Sequence, residues 1–173
     1  MNETLNTILT RRSCRAYLDK PIPQELLDQV LLAGTYAPNG RGKQPGKIVV
    51  VQDKQTVNAL ERLNAQVLGD PEAKPFYGAP VVLVVLADRN VFTPVEDGSL
   101  VLGNLFLAAH SLGLGTCWIH RAKQVFDSPE GKALLQKWGI SEDYMGIGHC
   151  IIGYPDGPMR PAAERKADFI VKV

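Results

Sequence analysis

Apolar residues recur along the chain at two spacings, one typical of helices and one typical of strands. In residues 25–37, leucine and valine return every three or four positions, which predicts an amphipathic helix, and Pro23 suits its first turn. A second helix with this spacing is expected after Asp53, whose carboxylate suits the N-cap position, and another after Ser128. A short helical stretch is also expected before residue 11.

Apolar segments without helical spacing predict the strands. KIVVVQ (47–52) and VVLVVLA (81–87) have the length of buried strands, GTCWIH (115–120) suits a third strand or an extended edge, YMGIGHCIIGY (144–154) suits a fourth, and FIVKV (169–173) is strand-like. All of them are too short to cross a bilayer. Few strands, several helices and no regular βαβ alternation predict an α+β layered domain.

Residues 97–111, DGSLVLGNLFLAAHS, differ from the other segments because they are apolar on nearly every side of the predicted helix. Such a helix is expected either in the centre of the domain or against a second protein chain. A homodimer that buries this helix is therefore predicted.

Composition narrows the function classes. The chain of 173 residues carries 19 Lys and Arg against 18 Asp and Glu, and this net charge of +1 gives no overall field suited to nucleic acid or an acidic membrane. Cys14, Cys117 and Cys150 include no close-spaced pair and match no metal-site spacing, which argues against a disulfide framework and a bound metal. MNETLNTIL lacks the features of a secretory signal, so a single-domain cytoplasmic protein is expected.

Positive charge is concentrated locally in RRSCR, residues 11–15. On these residues alone two interpretations stay open: a solvated basic turn, or an anion clamp in which arginines bind phosphate bidentately and Ser13 adds a hydroxyl donor. GRGKQ at 40–44 lacks P-loop spacing, and the G-x-G pairs of GLGTCW and GIGHC lack the third glycine of a dinucleotide-binding fingerprint. Cys14 is expected to fill space, with a redox-active thiol as the alternative.

Four segments, taken in order, resemble the nitroreductase family of FMN-dependent oxidoreductases nearly from end to end. They are RRSCRAY at 11–17, the P-x-x-x-x-x-Q-P loop at 38–45, EDGSLVLGNLFLAAHSLGLGTCWIH at 96–120, and GIGHCIIGYPDG at 146–157 with the basic tail that follows. The resemblance implies a single nitroreductase-like FMN-binding domain over residues 1–173. Its fold would be an α+β layered arrangement with a central mixed β-sheet flanked by helices, in an intertwined homodimer.

The resemblance also implies a set of flavin contacts that is completed at the dimer interface. Arg11 and Ser13 are expected to hold the FMN phosphate, Arg12 the phosphate or ribityl chain, Arg15 the N1/O2 edge of the ring, and Arg165 to close over the phosphate. The other implied contacts come from Asn64 at the ring, from the backbone of Cys117, Trp118, Ile119 and His120 along it, and, in the partner subunit, from Pro38, Asn39, Gly40 and Gln44.

A bound flavin supplies its own redox chemistry, which agrees with a sequence that offers no convincing catalytic triad or carboxylate pair. Arginine stays protonated, so Arg15 at N1/O2 would stabilise the negative charge of reduced FMN. The implied activity is hydride transfer from NAD(P)H through FMN to a nitroaromatic, quinone or similar small-molecule acceptor by a ping-pong route. Two alternatives stay open: another reduction (of activated C=C bonds, dehalogenation or flavin cleavage) and a non-catalytic flavin-binding protein.

Overall fold

Four strands form a single sheet at the centre of the fold. The computed structural model describes residues 1–173, and its strands are β1 (Gly46–Val51), β2 (Val81–Asp88), β3 (Gly115–Ile119) and β4 (Tyr144–Gly153). They lie in the order β1-β2-β4-β3, and every neighbouring pair is antiparallel. Four of the five predicted strand segments are therefore confirmed, with β2 and β4 in the centre and β1 and β3 at the edges.

Three details of the predicted sheet are wrong for the single chain. The sheet is antiparallel rather than mixed, because the one parallel pairing is an isolated bridge between Ser13 and Thr116. Residues 169–173 form no strand, since they are exposed and pair with no strand of their own chain. β1 is less buried than expected, since it lies at an edge and only Val51 among its residues is buried.

Helices cover both faces of the sheet. They are α1 (Glu3–Thr10), α2 (Gln24–Thr35), α3 (Lys54–Leu68), α4 (Pro94–Ser111), α5 (Ala122–Asp127) and α6 (Pro129–Lys137). Two predicted N-caps are confirmed: Asp53 accepts the Thr56 N–H at 2.8 Å, and the Ser128 hydroxyl accepts the Gly131 N–H at 3.1 Å. The sequence does not predict α5, because six residues are too few to show a helical repeat. No helix combines the length and apolar composition needed to span a lipid bilayer.

Two hydrophobic layers form because apolar residues fill both sides of the central strands. Alternate β2 residues enter different layers: Val82, Val84 and Leu86 one, and Val81, Leu83 and Val85 the other. The first layer also contains side chains of α3, α5 and α6, and the second contains side chains of α2 and α4. This arrangement explains why the 81–87 run is apolar without alternation.

α4 is buried on one side only. Leu102, Leu105 and Ala109 are fully buried in the second layer, whereas Leu100 on another side of the helix is 46% exposed. The chain's own core therefore does not cover all of this apolar helix, and the expectation of a fully central position is wrong for the single chain.

Candidate functional site

The arginine-rich segment runs beside the outer edge of β3. α1 ends at Thr10, with Arg11 as its C-cap, and the chain then extends so that Ser13 bridges to Thr116 in parallel register. The Cys14 N–H donates to the Thr116 carbonyl at 2.8 Å. Residues 11–15 and the predicted ring-contacting strand, which are far apart in the sequence, are thus neighbours in the fold.

The arginines of this segment have no carboxylate partner. The ion pairs in the chain are Arg89 with Asp127 and Lys132 with Glu142, both elsewhere. The Arg11 guanidinium lies over the ring of Phe106, 5.6 Å from its centroid. Arginines without an ion-pair partner therefore lie beside β3, with Asp156 lining the same cavity as Arg15, and their free donors suit an anion such as phosphate.

Arg12 differs from the arginines beside it. Its Nη1 donates to the carbonyls of Leu9 at 2.8 Å and Arg11 at 2.7 Å, which closes the C-terminal end of α1. Its Nε is buried and has no hydrogen-bond partner. Nη1 is therefore engaged by the protein, which leaves Nε and Nη2 for the expected phosphate or ribityl contact.

Cys14 is packed tightly against β3. It is 3% exposed, and its thiol donates to the Ala16 carbonyl at 3.1 Å. A Cβ on Gly115 would lie 2.8 Å from the Cys14 sulfur, so this position requires glycine. Beside it, burial raises the pKa of the Tyr17 hydroxyl, which donates to the Cys14 carbonyl at 2.9 Å. These contacts support the space-filling role for Cys14.

Side chains of β3 alternate between the core and the surface. Cys117 and Ile119 enter the first hydrophobic layer, and burial raises the pKa of the Cys117 thiol. Trp118 is 36% exposed, lies against Gly148, and has its ring centroid 6.4 Å from that of Phe106. Because Arg11 covers Phe106, a cation and two aromatic rings line this side of the strand.

Asn64 is placed differently from the expected ring contact. It is fully buried, its Nδ2 donates to the His120 carbonyl at 2.8 Å, and its Oδ1 accepts the Arg121 Nε–H at 3.0 Å. With no exposed surface and both ends of its amide engaged, Asn64 holds the backbone at the end of β3. Sequence reasoning missed Arg121, whose left-handed φ of 75° has no sequence signal in a non-glycine residue.

His149 lies in the core beneath the same strand end. Its Nδ1 is 3.4 Å from the Ile119 carbonyl, and its Nε2 has no partner. Burial, and then the positive charge of Arg121, lowers the pKa of His149 to about 4. The ring is therefore neutral at physiological pH.

The loop at 38–45 is fixed at the opposite end of α4. Its Gly40 N–H donates to the buried carboxylate of Asp97 at 2.9 Å, and Asn39 Oδ1 accepts the Gln44 N–H at 2.8 Å. Gln44 has a left-handed φ of 48°, so this bond also holds a strained residue. Sequence reasoning missed Asp97, whose role depends on a contact between distant segments.

The structure brings Arg160, rather than Arg165, to the arginine cluster. Arg165 donates to the Ala163 carbonyl at 2.7 Å within the exposed tail. Arg160 lines a cavity of about 170 Å³ together with Ser13 and Arg15. The sequence shows a basic tail but gives no signal that selects one of its arginines.

The chain is similar to known proteins over nearly its whole length. Residues 8–154 match the model of the Nitroreductase family. An FMN reductase (NAD(P)H) of Bacillus subtilis is 32% identical over 177 residues, covering 90% of this chain and 67% of that protein. A nitroreductase with bound FMN from Bacteroides fragilis superposes with a TM-score of 0.92 at 31% identity, covering 100% of both chains. A second, with bound FMN, from Desulfitobacterium hafniense gives a TM-score of 0.89 at 27% identity, covering 100% of this chain and 99% of that one.

Proposed function

Because the chain belongs to the nitroreductase family, we propose that it is an FMN-dependent oxidoreductase that takes hydride from NAD(P)H and passes electrons to a small-molecule acceptor. The observation that carries this proposal is the bridge between Ser13 and Thr116. It joins a cluster of arginines that form no ion pair to the edge of an extended strand. A flavin mononucleotide needs these two surfaces, the arginines for its phosphate and the strand edge for its ring.

The residues at this place fit FMN. The chain has three buried side-chain nitrogen or oxygen atoms without a partner, and two of them, Arg12 Nε and Thr116 Oγ1, belong to the bridged segments. A buried donor without an acceptor costs free energy, so an anion bound here would relieve that cost at Arg12. Arg11 and the Ser13 hydroxyl add donors that no carboxylate of the chain engages.

Each residue then has a defined task. Arg11 and Ser13 hold the phosphate, with Arg160 approaching from the tail, while Arg15 supplies a charge that does not titrate near the N1/O2 edge. When bound, FMN supplies the two-electron redox chemistry, and the chain orients it. Trp118, on the exposed side of β3, forms part of the surface beside the ring.

The proposal includes a homodimer, which the spacing of two contacts along α4 supports. The 38–45 loop contacts its first turn through Asp97, whereas Arg11 contacts Phe106 nearer its other end. At about 1.5 Å per residue, these two contacts lie about 14 Å apart along the helix. The two parts of the site are therefore separated along the helix of one chain, and an antiparallel pairing of two α4 helices would bring each loop next to the partner's arginines.

Two uncovered apolar surfaces support the same dimer. Leu100 is 46% exposed on α4, and a Cβ on the nearby Gly103 would meet no atom within 4 Å, so a second helix has room to approach closely. The tail residues Phe169 and Ile170 are 81% and 75% exposed. Light scattering is expected to give twice the chain mass of 18.9 kDa. A stable monomer with bound FMN would contradict the dimer, and with it the proposal that the partner subunit supplies the 38–45 loop of each flavin site.

The acceptor and NAD(P)H are proposed to use one pocket over the ring in turn, with a nitroaromatic or a quinone as acceptor. Initial rates measured over a grid of NAD(P)H and acceptor concentrations are expected to give parallel double-reciprocal lines, the sign of a ping-pong route. Intersecting lines would show that both substrates bind together. A protein that binds FMN but oxidises no NAD(P)H would support the non-catalytic alternative.

A further inference from the structure

Arg121 has a backbone conformation that an arginine rarely adopts. It follows the end of β3 and has a φ of 75°, one of only four non-glycine residues in the chain with positive φ. This region costs free energy for a residue with a Cβ, and a strained residue persists only where its surroundings hold it. The neighbourhood of Arg121 therefore contains an interaction that opposes this cost.

Asn64 supplies that interaction. One end of its fully buried amide accepts the Arg121 Nε–H at 3.0 Å, and the other donates to the His120 carbonyl at 2.8 Å. A single side chain thus bonds to both residues of the peptide that joins 120 and 121: to the carbonyl of His120 and to the side chain of Arg121. The Arg121 carbonyl accepts the Val125 N–H at 2.9 Å, which fixes the following peptide as well.

The hydrogen bond from Asn64 to the His120 carbonyl also determines the orientation of the peptide N–H. The chain has no cis peptide bond, so the Arg121 N–H points away from the carbonyl of His120. That carbonyl faces the buried Asn64, and the Arg121 N–H donates to no acceptor in the chain. The free donor is therefore directed away from the buried Asn64, at the end of the strand whose edge adjoins the arginine cluster.

From this geometry we infer that Asn64 and Arg121 are positioning residues that aim the 120–121 peptide N–H at the bound flavin. The inference rests on the proposed function. A glycine at 121 would adopt the left-handed conformation without strain, whereas the bond from the arginine side chain to Asn64 helps to offset the cost of that conformation. The pair acts on the cofactor through the peptide, and neither side chain needs to touch the ring.

Amide hydrogen exchange tests this inference directly. In the wild-type protein, FMN is expected to slow exchange at the Arg121 amide at least about tenfold, because the free donor gains an acceptor. Asn64→Ala is expected to abolish this protection, and Asn58→Ala, an exposed asparagine on the same helix, to leave it unchanged. Wild-type protein that binds FMN without protecting this amide would overturn the inference but leave the proposed function intact.

Two substitutions of Arg121 separate positioning from general stability. Arg121→Met keeps the Cβ, and with it the free-energy cost of positive φ, but has no donor for Asn64, so it is expected to lose the FMN-dependent protection. Arg121→Gly also lacks the donor but needs no help to adopt positive φ, so it is expected to retain the protection. Equal FMN-dependent protection in the two Arg121 variants would contradict the positioning role of the bond between Asn64 and Arg121. The same comparison tests the inference if Asn64→Ala does not fold. Failure of the wild type to bind FMN would instead reject the proposed function.

Discussion

Acid is expected to weaken the fold through His149. This side chain has no exposed surface and lies between the rings of Phe76 and Phe126, with centroids 5.4 and 6.0 Å away. Its nearest acceptor is the Ile119 carbonyl, 3.4 Å from Nδ1. A second ring proton would have no acceptor at Nε2, and the charge would lie close to Arg121.

The size of the effect follows from the two pKa values. Burial lowers the pKa of His149 from 6.5 to about 4. Well above pH 6.5 the ring is neutral in the folded and the unfolded chain, so its ionisation does not change the free energy of unfolding. As the pH falls from 6.5 to 4, the unfolded chain takes up a proton that the folded chain excludes, so stability is lost progressively and the loss is complete below 4. At about 1.4 kcal/mol per pH unit, the loss is about 3 kcal/mol.

The matched variant is His149→Asn, whose amide keeps a donor near the Nδ1 position and does not titrate. Urea unfolding of both proteins at pH 7, 6, 5 and 4 gives their free energies of unfolding. The variant starts lower at pH 7 because asparagine fills less of the pocket, but its curve should fall by about 3 kcal/mol less between pH 7 and 4. Parallel curves would refute the assignment of a low pKa to His149.

Substitutions at three further positions test the site. Arg11→Ala should remove a charge-assisted phosphate contact worth about 1.5–3 kcal/mol, so fluorescence titration should show about ten- to a hundredfold weaker FMN binding; equal affinity would make the cluster a basic turn. Arg15→Gln should lower the midpoint potential of bound FMN by several tens of millivolts, at about 30 mV per 1.4 kcal/mol, while affinity for oxidised FMN changes less; an unchanged potential would move this role to another cation. Asp97→Ala should leave the Gly40 N–H without an acceptor and cost about 1–3 kcal/mol of unfolding free energy, with most of it retained in Asp97→Asn, whose carbonyl still accepts; equal losses in both variants would contradict this bond.

Local patterns predicted the elements, but burial and pairing depended on contacts between distant segments. The apolar runs of β1 and β2 look alike in sequence, yet β2 is buried and β1 is a half-exposed edge, because strand order decides which run is covered. The caps at Asp53 and Ser128 were predictable because each acts within three residues. α5 was not, because it is shorter than two turns of helix.

The candidate site shows the same division. The arginine cluster and the strand that it adjoins were expected from the sequence and from its resemblance to a family. The sequence does not show that Arg12 turns back onto the end of α1 while Arg11 does not, because both arginines look alike in it. Nor does it show that Asn64 lies inside the protein, since a single asparagine on a helix gives no sign of its partners. The left-handed conformation of Arg121 is likewise set by tertiary contacts.

We propose that the arginine cluster around Ser13 binds FMN and that NAD(P)H reduces this flavin. The most direct test of this proposal is the visible absorbance spectrum of the purified protein saturated with FMN, recorded without oxygen before and after one equivalent of NADH or NADPH and again after a quinone or nitroaromatic is added. We expect a protein-bound flavin band that bleaches on addition of the nicotinamide and returns with the acceptor. A protein that retains no FMN, or a bound flavin whose band neither nucleotide bleaches, would contradict it.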